Sequence, residues 1–178
     1  MAENKEDRKA KVIEVLNKAR SRELNAIHQY MNQHYSLSDK DYGELAASMK
    51  LIAIDEMRHA EDFAERIKVL GGEPTIHREG TVEMGQEVPA IYECDVDMED
   101  NTIAAYNEFI KVCNENADVV TARLFERIID EEQAHLSYYE NISRHLKTLG
   151  DTYLAKIAGT PSDTGPSKGF VTPEPAAD

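Results

Sequence analysis

Apolar residues recur at alternating steps of four and three along four stretches of this chain. Val12, Leu16, Ala19, Glu23, Ala26 and Tyr30 carry the first. Leu45, Met49, Ile52, Glu56, His59, Phe63, Ile67 and Leu70 carry the second, with one slip of a position near its end. Tyr92, Val96, Glu99, Ile103, Tyr106, Ile110 and Cys113 carry the third, and Phe125, Ile128, Glu132, His135, Tyr139, Ile142 and Leu146 the fourth. That rhythm is the buried seam of a helix in a bundle. Long runs with period-two alternation are missing, so the chain reads as all-α.

Helix boundaries follow from the residues that start and stop helices. The first helix is expected over about residues 6–37. Ser38 and Asp39 then offer caps for a second, which stops near Leu70 before Gly71 and Gly72. A third starts near Pro89, a favourable first-turn position. A fourth runs from about Asp118 to Leu149 and stops at Gly150, and a short fifth follows over Asp151 to Ile157. The stretch from about 71 to 87, with Gly72, Pro74, Gly80 and Gly85, is too long for a tight helix hairpin. It suits a crossover running the length of the bundle, which makes helices two and three parallel. The chain of 178 residues fits one domain with a sizeable core. Residues 1–158 are read as the bundle. Residues 159–178 are read as a tail in which Pro161, Pro166, Pro173 and Pro175 interleave with Gly, Ser and Thr and build no core. This tail is expected to lie against its own subunit or a neighbouring one.

Polar residues interrupt the seams where leucine would be expected. Two segments read Glu-x-x-His, Glu56 to His59 and Glu132 to His135, and each has a lone glutamate 33 positions upstream, Glu23 and Glu99. The two sets differ by a constant 76 (99−23, 132−56, 135−59). A buried carboxylate without a partner costs several kcal/mol or neutralises itself. Neither lysine nor arginine shares these seams near the six residues, so metal cations are the natural counter-charge. Two divalent ions balance four glutamates with neutral imidazoles, and two ferric ions with a bridging oxide balance them equally. Residues three apart share a helix face, so each Glu-x-x-His pair can serve neighbouring coordination positions. The set matches the known layout of di-iron and di-manganese carboxylate bundles. Its oxygen-rich ligands with imidazole suit iron or manganese. A single Glu-x-x-His in a charged helix would mean little; the repeated set carries the argument. The competing readings are a solvated polar layer or a degenerate duplicate that has lost its metal.

Net charge is −14. That disfavours nucleic-acid binding through a basic surface and suits cation concentration, although acidity also serves solubility. The first residues lack the apolar core of a secretory signal, and no apolar run is long enough to span a bilayer. Cys94 and Cys113 are isolated, with no C-x-x-C, which gives no disulfide framework and no rubredoxin-type iron module. A cytoplasmic setting is expected.

Three runs resemble the bacterioferritins: Arg22-Glu23-Leu24-Asn25-Ala26-Ile27-His28-Gln29-Tyr30, Ile54-Asp55-Glu56-Met57-Arg58-His59-Ala60-Glu61, and Asp130-Glu131-Glu132-Gln133-Ala134-His135. The likeness covers roughly residues 6–157. It implies a ferritin-like four-helix bundle with a long crossover between helices two and three and a short fifth helix. It implies a homo-oligomeric hollow shell of twenty-four subunits. It also implies a ferroxidase site at which dioxygen or peroxide oxidises ferrous iron before storage of the ferric product. Glu56 and Glu132 would bridge two irons, Glu23 and His59 would complete one, and Glu99 and His135 the other. Met57 sits one residue, about 100° of helix, from Glu56. The resemblance makes it an axial ligand of a haem-type iron porphyrin at a twofold interface; an ordinary interface methionine is the alternative. An electron-donor protein is a further implied partner. One position departs: where some members carry an inner-surface histidine, this chain has Leu51, which puts a third iron site near Asp55 in doubt.

Asp55 and Glu131 each precede a ligand glutamate and are candidates to hold a ligand histidine from the opposite half. Tyr30 and Tyr106 repeat at the same offset and are read either as hydrogen-bonding a ligand carboxylate or supplying an electron, or as plain seam aromatics. His28, His34, His77 and His145 follow no such pattern and are read as surface or packing residues. A small di-iron peroxidase or oxidase without mineral storage would share the same fold and ligands. A structural oligomer that binds haem alone is the non-catalytic reading.

Overall fold

A computed structural model of the chain describes residues 4–165 and 169–171. Helix α1 spans Lys5–Asp39 and α2 spans Gly43–Leu70. Helix α3 covers Val88–Glu115, α4 Val119–Leu149 and α5 Asp151–Ile157. Asn4 accepts from the Glu6 amide to open α1, and Pro89 stands in the first turn of α3. Helix α2 stops at Gly71, whose φ is +87°.

One boundary differs from expectation. Ser38 and Asp39 remain inside α1 and cap nothing. The turn is Lys40 to Tyr42, with Asp41 at φ +63°, a conformation that aspartate tolerates better than most residues. The cap for α2 comes from the tail. The Glu44 amide donates to the Thr160 hydroxyl at 2.8 Å, and Tyr42 pairs with Thr160 in an isolated parallel bridge. With that donor satisfied from outside, Ser38 and Asp39 are free to extend the first helix.

Hydrogen bonds set the direction of the crossover. Asn17 bonds the backbone at Glu73 and Thr75, Ser21 bonds it at His77 and Glu79, and Gln29 at Glu83. The segment therefore runs alongside α1 in the same direction and delivers α3 to the far end. Helix α3 is thus parallel to α2, as the length of the crossover predicted. The helices pack as two hairpins, α1 on α2 and α3 on α4, joined chiefly through α1 on α3.

The core has two apolar clusters with a polar layer between them. Tyr30, Leu37, Leu45, Met49, Tyr92 and Tyr139 belong to one, and Ile157 of α5 closes it. Leu16, Phe63, Tyr106, Phe125 and Ile128 belong to the other. Each such side chain contributes about 1.5–3 kcal/mol, so the apolar ends tolerate a costly middle. The α3 seam is narrower than its pattern suggested. Asp95 is buried in it, while Val96, Ile103 and Ile110 are only half-buried. Among the described residues, no helix is long and apolar enough to cross a membrane.

Candidate dinuclear metal centre

Four helices each send one or two polar side chains to the same layer. Glu23 comes from α1, Glu56 and His59 from α2, Glu99 from α3, and Glu132 and His135 from α4; all six are buried. They form two overlapping groups, Glu23–Glu56–His59–Glu132 and Glu56–Glu99–Glu132–His135. Within each group the ligand atoms lie within 4.8 Å of one another. Glu56 and Glu132 belong to both, so the site has a shared pair of carboxylates and a separate carboxylate and imidazole on each side.

Both imidazoles present Nδ1 to the shared pair. His59 Nδ1 lies 3.1 Å from Glu56 and 3.2 Å from Glu132. His135 Nδ1 lies 3.2 Å from Glu56 and 3.1 Å from Glu132. The Nε2 atoms point the other way, and each finds a carboxylate on the opposite hairpin. His59 Nε2 is 3.3 Å from Glu131, and His135 Nε2 is 3.4 Å from Asp55. Such a partner fixes the tautomer that leaves Nδ1 available as a ligand. The tyrosines cross between hairpins as well. Tyr30 donates to Glu99 at 2.7 Å, and Tyr106 donates to Glu23. Burial first, and then the nearby carboxylates, push both phenols well above their ordinary range, so they stay protonated donors.

The electrostatics are those of a site short of positive charge. Burial and then the shared glutamates raise Glu23 and Glu99 well above the ordinary carboxylate range. Burial alone would lower the two imidazoles, but the surrounding carboxylates outweigh it and raise both. Burial would also raise Glu132, yet His59 and His135 hold it below its usual value. Oε1 of Glu56 and Oε1 of Glu132 are buried and accept no hydrogen bond, each facing an imidazole Nδ1 at 3.2 Å. An orphaned buried oxygen is costly. One on each shared glutamate, both in the one layer, is what a pair of cations would satisfy, so the residues fit a dinuclear metal centre.

A cavity of about 340 Å³ leads to this layer between α1, the crossover and α3. All four glutamates line it, together with Arg22, Asn25, Met98 and Thr102. These last four are only partly buried and lie off the seams, so periodicity gave no sign of them. Neither cysteine joins the site. Burial pushes the Cys94 thiol up to about 11 and Cys113 up to about 12, so no thiolate is offered near neutral pH. His28, His77 and His145 are exposed, and buried His34 is engaged with the Ala46 carbonyl. Met57 points away from the layer and is 53% exposed.

Three contributors lay outside the sequence reading. Arg58 pairs with Asp55 at 3.2 Å, and Arg127 with Glu131 at 3.0 Å. The third is the tail at Gly169 to Val171, where the Val171 amide donates to Asp55 at 2.8 Å. An i,i+3 or i,i+4 search around the two carboxylates would have found the arginines; nothing local points to the tail.

A family profile for the ferritin-like domain matches residues 13–149. The bacterioferritin of Desulfovibrio desulfuricans is 76% identical over 179 residues, spanning 100% of both chains. A Mycobacterium tuberculosis bacterioferritin is 32% identical, over 84% of this chain and 95% of its own. An X-ray structure of the Desulfovibrio desulfuricans bacterioferritin, with its diiron site in different catalytic states, superposes with a TM-score of 0.92 at 77% identity. It covers 96% of this chain and 100% of that one. The Mycobacterium tuberculosis bacterioferritin BfrA superposes at 0.79 and 32% identity, over 83% and 93%.

Proposed function

This chain belongs to the ferritin-like family and, within it, to the bacterioferritins, and on that premise we propose that it stores iron by oxidising ferrous ions at the dinuclear layer. The observation that carries this is the pair of orphaned oxygens on Glu56 and Glu132, set within ligand distance of the other four residues. Ferrous iron is the substrate. Glu56 and Glu132 would be shared by two bound ions, with Glu23 and His59 holding one and Glu99 and His135 the other. When bound, the two ions supply the redox couple for dioxygen or peroxide. The protein's part is to hold four carboxylates and two imidazoles in fixed register and to donate from Tyr30 and Tyr106 to the outer carboxylates. The acidic cavity gathers cations by focusing the field of its glutamates.

Met57 is read as one half of a haem-type site shared between two subunits, an arrangement its exposure on α2 supports. The assembly is read as a closed homo-oligomer, twenty-four subunits by family likeness, working in the cytoplasm with an electron-donor protein for iron release. Leu51 offers no ligand beside Asp55, which leaves the cavity-facing third iron site without its histidine.

Iron loading of the metal-free protein in air, followed by size-exclusion chromatography, tests the storage reading. Iron far above two per subunit, eluting with a very large particle, is the expected result. Iron stopping near two per subunit on a small oligomer would replace storage with a di-iron oxidase or peroxidase.

A further inference from the structure

The two outer carboxylates are held in different ways. Glu131 is 24% exposed and takes its second contact from Arg127, a residue of its own helix. Asp55 is 1% exposed, and its carboxylate is fully occupied. Arg58 holds Oδ1 at 3.2 Å, while Oδ2 faces His135 Nε2 at 3.4 Å and accepts from the Val171 amide at 2.8 Å. Gly169 crosses Asp55 so closely that a Cβ there would overlap both the carboxylate and the Arg58 guanidinium. The Phe170 ring packs at a tilt 5.1 Å from Tyr138 and edge-on 6.1 Å from the His135 ring. Backbone donor, absent side chain and ring thus converge on one histidine of the dinuclear layer.

The geometry points to Gly169–Phe170–Val171 as a positioning latch for one half of the metal centre: the tail locks Asp55, Asp55 locks His135, and the Glu99–His135 position is thereby preorganised over the Glu23–His59 position. This rests on reading the six residues as metal ligands. The donor that matters is a backbone N–H, so side-chain identity at residue 171 is secondary. The same contacts leave Asp55 no free oxygen for a separate iron. Loss of an outer partner of a ligand histidine typically lowers metal affinity about 10–100-fold, and here the loss falls on one position of two.

Two measurements test the latch. Hydrogen exchange of the peptide containing Val171, followed by mass spectrometry in the wild-type assembly, should show one slowly exchanging amide; complete exchange at the earliest time would overturn the latch without any variant. Cobalt(II) titration of the metal-free full-length protein, read from its visible absorption, then separates the positions. Wild type should bind two ions per subunit. Val171→Pro removes the donor and Gly169→Val displaces the strand. Each should weaken one of the two binding steps at least about tenfold and leave the other within twofold. Val171→Ala keeps the donor and should match wild type. Fewer than two ions on the wild type would bring down the dinuclear reading itself. Two ions on wild type with both steps unchanged in Val171→Pro and Gly169→Val would overturn the latch alone.

Discussion

The hairpins α1–α2 and α3–α4 correspond at an offset of 76 well beyond the six residues of the metal layer. Asp41 and Ala117 both turn the chain at positive φ, +63° and +58°. Tyr42 and Asp118 both stand just before the following helix, and Asp55 and Glu131 both lie behind a histidine of the opposite hairpin. What differs is where the supporting contacts come from. Asp118 caps α4 with its own carboxylate and pairs with Arg66 at 2.8 Å. Tyr42 has no such group, and Thr160 caps α2 from 116 residues away. Each outer carboxylate is steadied by an arginine of its own helix, Arg127 for Glu131 and Arg58 for Asp55, and Asp55 in addition by the tail. A shared plan therefore carries the chemistry, while the first hairpin relies on the C-terminal segment for supports that the second obtains elsewhere.

The largest expected effect bears on what the halves share. Glu132→Ala removes a ligand common to both positions. It should slow ferrous oxidation by more than the roughly 10–100-fold that loss of an outer partner costs, as read by stopped-flow absorbance. Retained rapid oxidation would break the correspondence at its centre. Next come the outer carboxylates. Asp55→Ala should lower cobalt affinity at one position by about 10–100-fold. Glu131→Ala should cost less, because water can reach and replace that contact. Equal losses would mean that burial of Asp55 under the tail confers nothing.

The two caps come third. Asp118→Ala should destabilise the metal-free protein by about 1–2 kcal/mol, through the lost cap and a modest ion pair. Thr160→Ala should cost about 1 kcal/mol. Denaturant midpoints decide both, and an unchanged midpoint for Thr160→Ala would remove the tail from the account of α2. The pH dependence sharpens the same contrast. Burial alone would raise Asp118, but Thr121 and Arg66 outweigh it and hold its carboxyl below the usual range. A depressed carboxylate stabilises fully above its unfolded value of about 3.9. That contribution is lost as pH falls through the lower folded value. Acidification below about pH 4 should therefore cost wild type more than Asp118→Asn. The smallest effect is at the tyrosines. Tyr30→Phe and Tyr106→Phe should each weaken metal binding by about 1 kcal/mol, roughly fivefold, and to a similar degree if the halves correspond.

Much of this was legible from residue order. Helix period, the glycines at 71 and 150 and the long 71–87 segment determine the bundle and its parallel crossover, because they act within a few turns of chain. The charge imbalance of four glutamates on buried seams determines that the layer needs cations, because desolvation penalises them wherever the seams meet. The matched offset also pointed to Asp55, Glu131, Tyr30 and Tyr106. Which partner each one takes was decided only in three dimensions: Tyr30 bonds Glu99 and not Glu23 of its own helix, and Tyr106 does the reverse. The true start of α2, the burial of Asp95 and the seating of Val171 on Asp55 belong to the same class. Local pattern specifies which face of a helix is buried; which distant group meets that face depends on how the hairpins and the tail pack, and no periodicity encodes a contact made across more than a hundred residues.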